Sequence, residues 1–128
     1  MKIGIVGSRE YPNKERVINL IEKVLIKFSN DILWITGDAK KGVDKWVREW
    51  VEKSEKYDKR EDLKVKKPEF RKKDDKQYDV KDFHKRNKEI AESSDIVFAF
   101  QYNNSKGTQS TIDKCNQINT PVFVYNEK

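Results

Sequence analysis

Cysteine and histidine are almost missing from this chain, each occurring once, as Cys115 and His84. A single cysteine excludes an internal disulfide and a thiolate zinc cluster, and a single histidine leaves metal chemistry few ligands, so no metal site is expected. Long apolar runs are missing as well. Nothing approaches the roughly 18 consecutive apolar residues of a membrane span, and the short run after Met1 carries no small-residue cleavage site, so a cytoplasmic protein with no membrane partner is expected. With 128 residues there is room for one core, which leaves any ligand site to be built from loops upon it.

What is present is charge. Asp, Glu, Lys and Arg make up 39% of the residues against 35% apolar, with a net charge of +6 and a pI near 9.3. Lys and Glu are interspersed, so the excess alone does not separate nucleic acid, nucleotide and plain solubility as its purpose. The apolar residues nevertheless gather in periodic blocks, as a folded chain requires.

Residues 2–6, 32–36 ("ILWIT"), 95–100 ("DIVFAF") and 121–125 ("PVFVY") are short apolar runs rich in β-branched and aromatic residues. Continuous apolarity of this length predicts strands covered on both faces, hence a parallel sheet. Between them Val17, Leu20, Ile21, Val24, Leu25 and Phe28 recur at helical spacing, as do Val43, Trp46, Val47, Trp50 and Val51. A weaker stripe at Val80, Phe83, Asn87, Ile90 and Ala91 predicts a third helix, and Thr111, Ile112, Cys115 and Ile118 a fourth. "LKV" at 63–65 is patterned as a short edge strand, inside a charged variable region around 55–79 that reads as a loop, with a lid as the alternative. The alternation predicts an α/β, Rossmann-like three-layer sandwich with a mainly parallel sheet of about five strands, in one domain over 1–128.

In such a sheet the ligand crevice lies beyond the carboxyl ends of the strands, where helices begin with unpaired N–H groups. Each unusual short motif falls at that edge: Gly7-Ser8-Arg9, then Thr36-Gly37-Asp38-Ala39-Lys40-Lys41-Gly42, then Asn103-Asn104-Ser105-Lys106-Gly107-Thr108. Glycine lets backbone approach an anion, Ser and Thr add donors, and Arg9, Lys40, Lys41 and Lys106 are placed to neutralise phosphate. Each element also has a plain reading. The glycines serve as turn residues in any strand-to-helix connection. Asp38 and Asp44 are either ribose-hydroxyl acceptors or first-turn acids stabilised by the macrodipole, which in that position lowers their basicity. Tyr11 either stacks on a base or covers the sheet edge beside Pro12. His84 reads as a partly buried, hydrogen-bonded side chain on the apolar face of the third helix, Cys115 as an inert buried thiol, and Trp46 and Trp50 as core.

Four segments together, "VGSREY", "TGDAKKGVDKWV", "RNKEIAESSDIVFAF" and "SKGTQSTI...NTPVFVY", resemble the SLOG superfamily, in particular its small stand-alone phage and bacterial members. Its other groups include cytokinin-activating phosphoribohydrolases, the DNA-processing protein of natural transformation, and sensor domains for nucleotide-derived signals. The resemblance implies a nucleotide or nucleic-acid pocket lined by Gly7, Ser8, Arg9, Gly37, Gly42, Asp44, Arg86, Asn87, Gly107 and Thr108; Tyr11, Thr36, Asp38, Ser105 and Lys106 flank them in the same loops. Two departures stand out. Gly37-Asp38 replaces the Gly-Gly of many relatives, and Thr111 takes the place of the glutamate that the phosphohydrolase-type members carry. The expected function is therefore binding of a nucleotide or nucleotide-derived metabolite, sensed or sequestered without turnover, with no catalytic residue and no cofactor. A nucleoside-phosphate glycosidase and a single-stranded nucleic-acid binder are the alternatives, and a second copy of the chain is a further candidate partner.

Overall fold

In the computed structural model, residues 1–28, 32–54, 63–66 and 80–127 are described, and the remainder of the variable region lies outside them. The chain alternates β1 (Lys2–Gly7), α1 (Lys14–Phe28), β2 (Leu33–Gly37), α2 (Val43–Lys53), β3 (Leu63–Lys66), α3 (Val80–Ser93), β4 (Ile96–Tyr102), α4 (Lys106–Ile118) and β5 (Val122–Glu127). The strands form one five-stranded sheet in the order β3-β2-β1-β4-β5, and every pairing is parallel. The predicted fold class is observed. The charged residues 67–79, read as a loop or lid, fall outside the described residues.

Strand alternation divides the core in two. Ile3, Ile5, Trp34, Phe98 and Phe100 face Val17, Ile21 and Val24 of α1 and Val43, Val47 and Val51 of α2. On the other face Val6, Ile35, Val97 and Ala99 meet Ile90 and Ala91 of α3 and Ile112 and Cys115 of α4. Both faces of β1, β2 and β4 are thus covered, which is why these runs are apolar without a break. Trp46 and Trp50 are partly buried against the first cluster, Trp50 edge-on to Trp34 at 5.7 Å between centroids. Cys115 is fully buried, and burial pushes its thiol up to about 11.

Three expectations need correction. β5 is not covered on both faces: it is an edge strand, with Phe123 and Val124 exposed. Ile118, placed on the core stripe of α4, is exposed at its end because the helix stops there, at a left-handed Asn119. His84 is exposed rather than partly buried, although its Nδ1 shares a 2.8 Å hydrogen bond with Ser110 Oγ.

The order of strands places a switch between β1 and β4: the chain builds outward from β1 through β2 to β3, then returns to the opposite side of β1. Loops leaving β1 and β4 therefore diverge and open a crevice at the carboxyl edge of the sheet.

Candidate functional site

A cleft of about 570 Å³ occupies that crevice. It is lined by Val6 to Glu10, Asp38, Ala39, Asp44, Arg86, Asn87, Ile90, Tyr102, Asn103, Ser105, Gly107, Thr108 and Thr111. The loops after β1, β2 and β4 converge here with α3 and the starts of α2 and α4, and the two walls differ in chemistry.

One wall is made of donors. The Ser8 amide bonds Phe100 O at 2.9 Å, fixing the β1 loop across β4. Ser8 Oγ accepts the Tyr102 N–H at 2.9 Å and lies 2.6 Å from Ser105 Oγ and 3.3 Å from Thr108 Oγ1, while Ser105 Oγ donates to Thr108 Oγ1 at 3.0 Å. Asn103 and Asn104 turn the chain through the left-handed region, at φ 51° and 53°, to bring Ser105 into this cluster. The Ser105 hydroxyl is spent on that cluster and does not cap α4, so the first-turn amides of the helix keep their unpaired N–H groups at the cleft. Arg9 stands exposed beside them and pairs with no carboxylate among the described residues.

The other wall is made of carboxylates around one guanidinium. Arg86 Nη1 pairs with Asp38 Oδ1 at 2.9 Å, and Arg86 Nε donates to Asn87 Oδ1 at 2.9 Å. Asp44 lies buried below them. Its Oδ2 accepts the Ala39 N–H at 3.4 Å, whereas its Oδ1 is buried with no hydrogen-bond partner. Burial raises the Asp44 pKa to about 6, against the attraction of Arg86, the Ala39 N–H, Arg48 and the Gly7 N–H. The sequence reading expected the helix N-terminus to lower its basicity; loss of hydration outweighs the dipole here, because Asp44 sits under the loop rather than at a solvated helix end.

The predicted glycines fill roles inside the protein. A Cβ on Gly7 would lie 2.5 Å from Val43 Cγ2, and one on Gly37 2.5 Å from Asp44 Oδ2 and 3.0 Å from Arg86 Nη1. Gly42, at φ 80°, carries the Ser8-Arg9 backbone directly above it. None of these three needs a ligand to explain it, and Gly37 and Gly42 do not line the cleft. Gly107 differs: apart from its chain neighbours and the backbone of its own helix, nothing among the described residues lies within 4 Å of where its Cβ would be.

Of the other predicted residues, Ser8, Arg9, Asp38, Asp44, Arg86, Asn87, Ser105 and Thr108 are brought together, and Thr111 joins them from α4. Thr36 is buried, its Oγ1 donating to Ile5 O at 2.7 Å. Lys106 is exposed outside the lining residues. Tyr11 is no base-stacking platform, because its ring is buried edge-on to Phe100 at 5.4 Å and its hydroxyl accepts from Arg16 at 3.4 Å. Lys41 is engaged in an ion pair with Glu10. Sequence reasoning missed Arg48, which clasps the β2 loop by donating to Gly37 O at 2.9 Å and Ala39 O at 2.7 Å. A lone arginine on the polar side of a helix gives no signal of this.

The sequence matches no protein-family model and no curated protein. Its fold is similar to DNA processing protein A of Helicobacter pylori, a single-stranded DNA binder, with a TM-score of 0.65 at 18% identity over 100% of this chain. It is also similar to the X-ray structure of TM1055, a structural-genomics target, with a TM-score of 0.55 at 18% identity over 94% of this chain. The chain spans 66% and 71% of those two proteins. These likenesses establish the Rossmann-like fold.

Proposed function

We propose that this chain binds a nucleotide or nucleotide-derived small molecule in the cleft and holds it without turnover. The observation that carries this is the division of one cleft into a donor wall and an acceptor wall. A phosphate fits the first, where the Arg9 guanidinium and the first-turn amides of α4 offer charge-assisted hydrogen bonds beside the self-satisfied hydroxyl cluster of Ser8, Ser105 and Thr108. Sugar hydroxyls fit the second, where the carboxylates of Asp38 and Asp44 line the cleft. Thr111 stands in the cleft where the SLOG resemblance leads one to expect a glutamate; a threonine hydroxyl supplies no negative charge to a developing oxocarbenium ion.

Single-stranded nucleic acid is the second reading, favoured by the fold shared with DNA processing protein A and by the net charge of +6. Against it, three carboxylates, Glu10, Asp38 and Asp44, line the same cleft and disfavour a polyanion threaded through it. Denaturing purified protein and identifying what it releases by mass spectrometry, then titrating the stripped chain with ribonucleoside monophosphates and NAD by calorimetry, tests the first reading. Saturable binding is expected. Binding of an oligonucleotide alone, surviving physiological salt, would instead establish the second, because non-specific backbone contacts weaken steeply with salt.

A further inference from the structure

The two edges of the sheet are finished differently. β3 alternates Leu63 and Val65 with Lys64 and Lys66, the kind of charged guard that keeps an edge from pairing. β5 reads Val-Phe-Val-Tyr-Asn-Glu, with no lysine or proline. Phe123 is 52% exposed and Val124 38% exposed.

Backbone direction on β5 follows from its bonds to β4. The Val97 N–H reaches Pro121 O at 2.9 Å and the Asn103 N–H reaches Glu127 O at 3.1 Å, so odd-numbered residues of β5 turn their peptide groups inward. Val122, Val124 and Asn126 therefore turn theirs outward. Arg16 Nη1 occupies Asn126 O at 3.4 Å while pairing with Glu127 at 2.9 Å, which closes that end of the edge and neutralises its only charge. Among the described residues, what remains open is the N–H and C=O of Val122 and Val124, on either side of Phe123, and the N–H of Asn126 beyond them.

That remainder is complementary to itself. We infer that β5 is a self-association edge, at which a second copy of this chain pairs antiparallel about a two-fold axis through Phe123. In that register Val122 faces Val124 of the second copy and the reverse, each pair exchanging both N–H···O bonds, while the two Phe123 side chains meet at the closely spaced non-hydrogen-bonded position. Phe123 already stacks on Phe98 at 5.7 Å between centroids, so the second ring extends an existing aromatic row. On the opposite face Val124 covers its counterpart Val122. Within the paired strands no like charges face one another, since the strand's one ion, Glu127, is already paired with Arg16. The sheet becomes continuous through both copies and the contact closes on itself, with no further edge of this kind left to recruit a third.

Sedimentation velocity over a concentration series reaching about 100 μM reads the dimer directly. A reversible monomer–dimer equilibrium is expected, with its dissociation constant raised about tenfold or more by Phe123→Lys and by Val124→Pro, the latter removing only an outward-facing N–H. Circular dichroism and thermal midpoints show whether each variant stays folded, and Ile26→Lys, on the exposed side of α1, is expected to leave association unchanged. A chain that remains monomeric throughout the series overturns the inference. So does a dimer that survives both β5 substitutions in folded protein, or growth into assemblies larger than a dimer.

Discussion

The two walls of the cleft are held in place by opposite means. The donor wall is a small network of hydroxyls in which Ser8, Ser105 and Thr108 satisfy one another, so it costs the fold little and stands complete without a ligand. The acceptor wall is held against a cost: Asp44 is buried deeply enough to lift its pKa to about 6, although Arg86, Arg48 and the Ala39 and Gly7 N–H groups all favour its charge. A wall that is internally satisfied is a scaffold; a wall that keeps a carboxylate out of water costs the fold stability whenever that carboxylate is charged. Both rest on Gly42, where the β1 loop lies across the start of α2.

Gly42→Ala should therefore break both walls at once and produce the largest effect. Gly42 has φ 80° and ψ −149°, a region essentially reserved to glycine, and a Cβ there would meet Arg9 Cα, Arg9 O and Ser8 O at 2.6 Å. Strain and displacement together are expected to cost about 3 kcal/mol or more of stability. Denaturant unfolding measures it, and a loss under about 1 kcal/mol would show the loop to be freer than its packing implies.

Asp44→Asn separates the acceptor wall from the donor wall. The folded-state pKa of about 6 lies above the 3.8 of a free aspartate, so the folded chain holds the proton more tightly than the unfolded one. The wild type consequently loses stability as pH rises from 3.8 through about 6, and the loss is complete above that window. The asparagine variant is expected to lack this dependence and to gain up to about 3 kcal/mol on the wild type between acid and neutral pH. Parallel melting curves from pH 3.5 to 8 read the difference. Identical slopes would place Asp44 in a wetter setting than its burial indicates. If free base is released from nucleoside monophosphates by the wild type and not by this variant, Asp44 is acting on the glycosidic bond and the non-turnover reading fails.

Legibility in the sequence tracked how many physical causes produce the same pattern. Strands β1, β2 and β4 were readable because an unbroken apolar run in a parallel sheet has one main cause, cover on both faces. "PVFVY" has the same appearance, and the sequence offers nothing to distinguish a covered strand from an unguarded edge. The cleft opens where Gly, Ser and Asp cluster at the strand-to-helix connections, but the roles within it were less legible. Gly37 looks like a phosphate-approach glycine and is in fact room for Asp44 and Arg86; Lys41 looks like a free cation and is engaged with Glu10. Pairing between side chains from different loops leaves no periodic trace, which is also why Arg48 was missed.

Arg9→Ala tests the donor wall alone. Exposed and unpaired with any carboxylate among the described residues, Arg9 contributes nothing visible to the fold, so stability should stay within about 0.5 kcal/mol while nucleotide affinity falls by about 1.5–3 kcal/mol, the range for a charge-assisted hydrogen bond. Calorimetric titration with whichever nucleotide saturates the wild type decides it. Unchanged affinity in a folded variant would remove Arg9 from the site and leave the hydroxyl cluster and α4 as the whole of that wall.

The smallest effect belongs to Gly107, and it is the sharpest, because its two readings predict opposite signs. As an ordinary residue in the first turn of α4, glycine is a poor helix former, and alanine in its place should raise stability by a few tenths to about 1 kcal/mol. No other element among the described residues opposes the substitution, since none comes within 4 Å of the added Cβ. As part of a phosphate cradle, however, the same empty space is where a ligand oxygen approaches the amides of Gly107 and Thr108, and a methyl group there should weaken binding. The expected outcome for Gly107→Ala is thus a higher melting temperature together with a lower nucleotide affinity, two measurements on one variant that move in opposite directions. A gain in stability with affinity untouched would make Gly107 a helix residue and nothing more, and would move the phosphate toward Arg9 and Ser8.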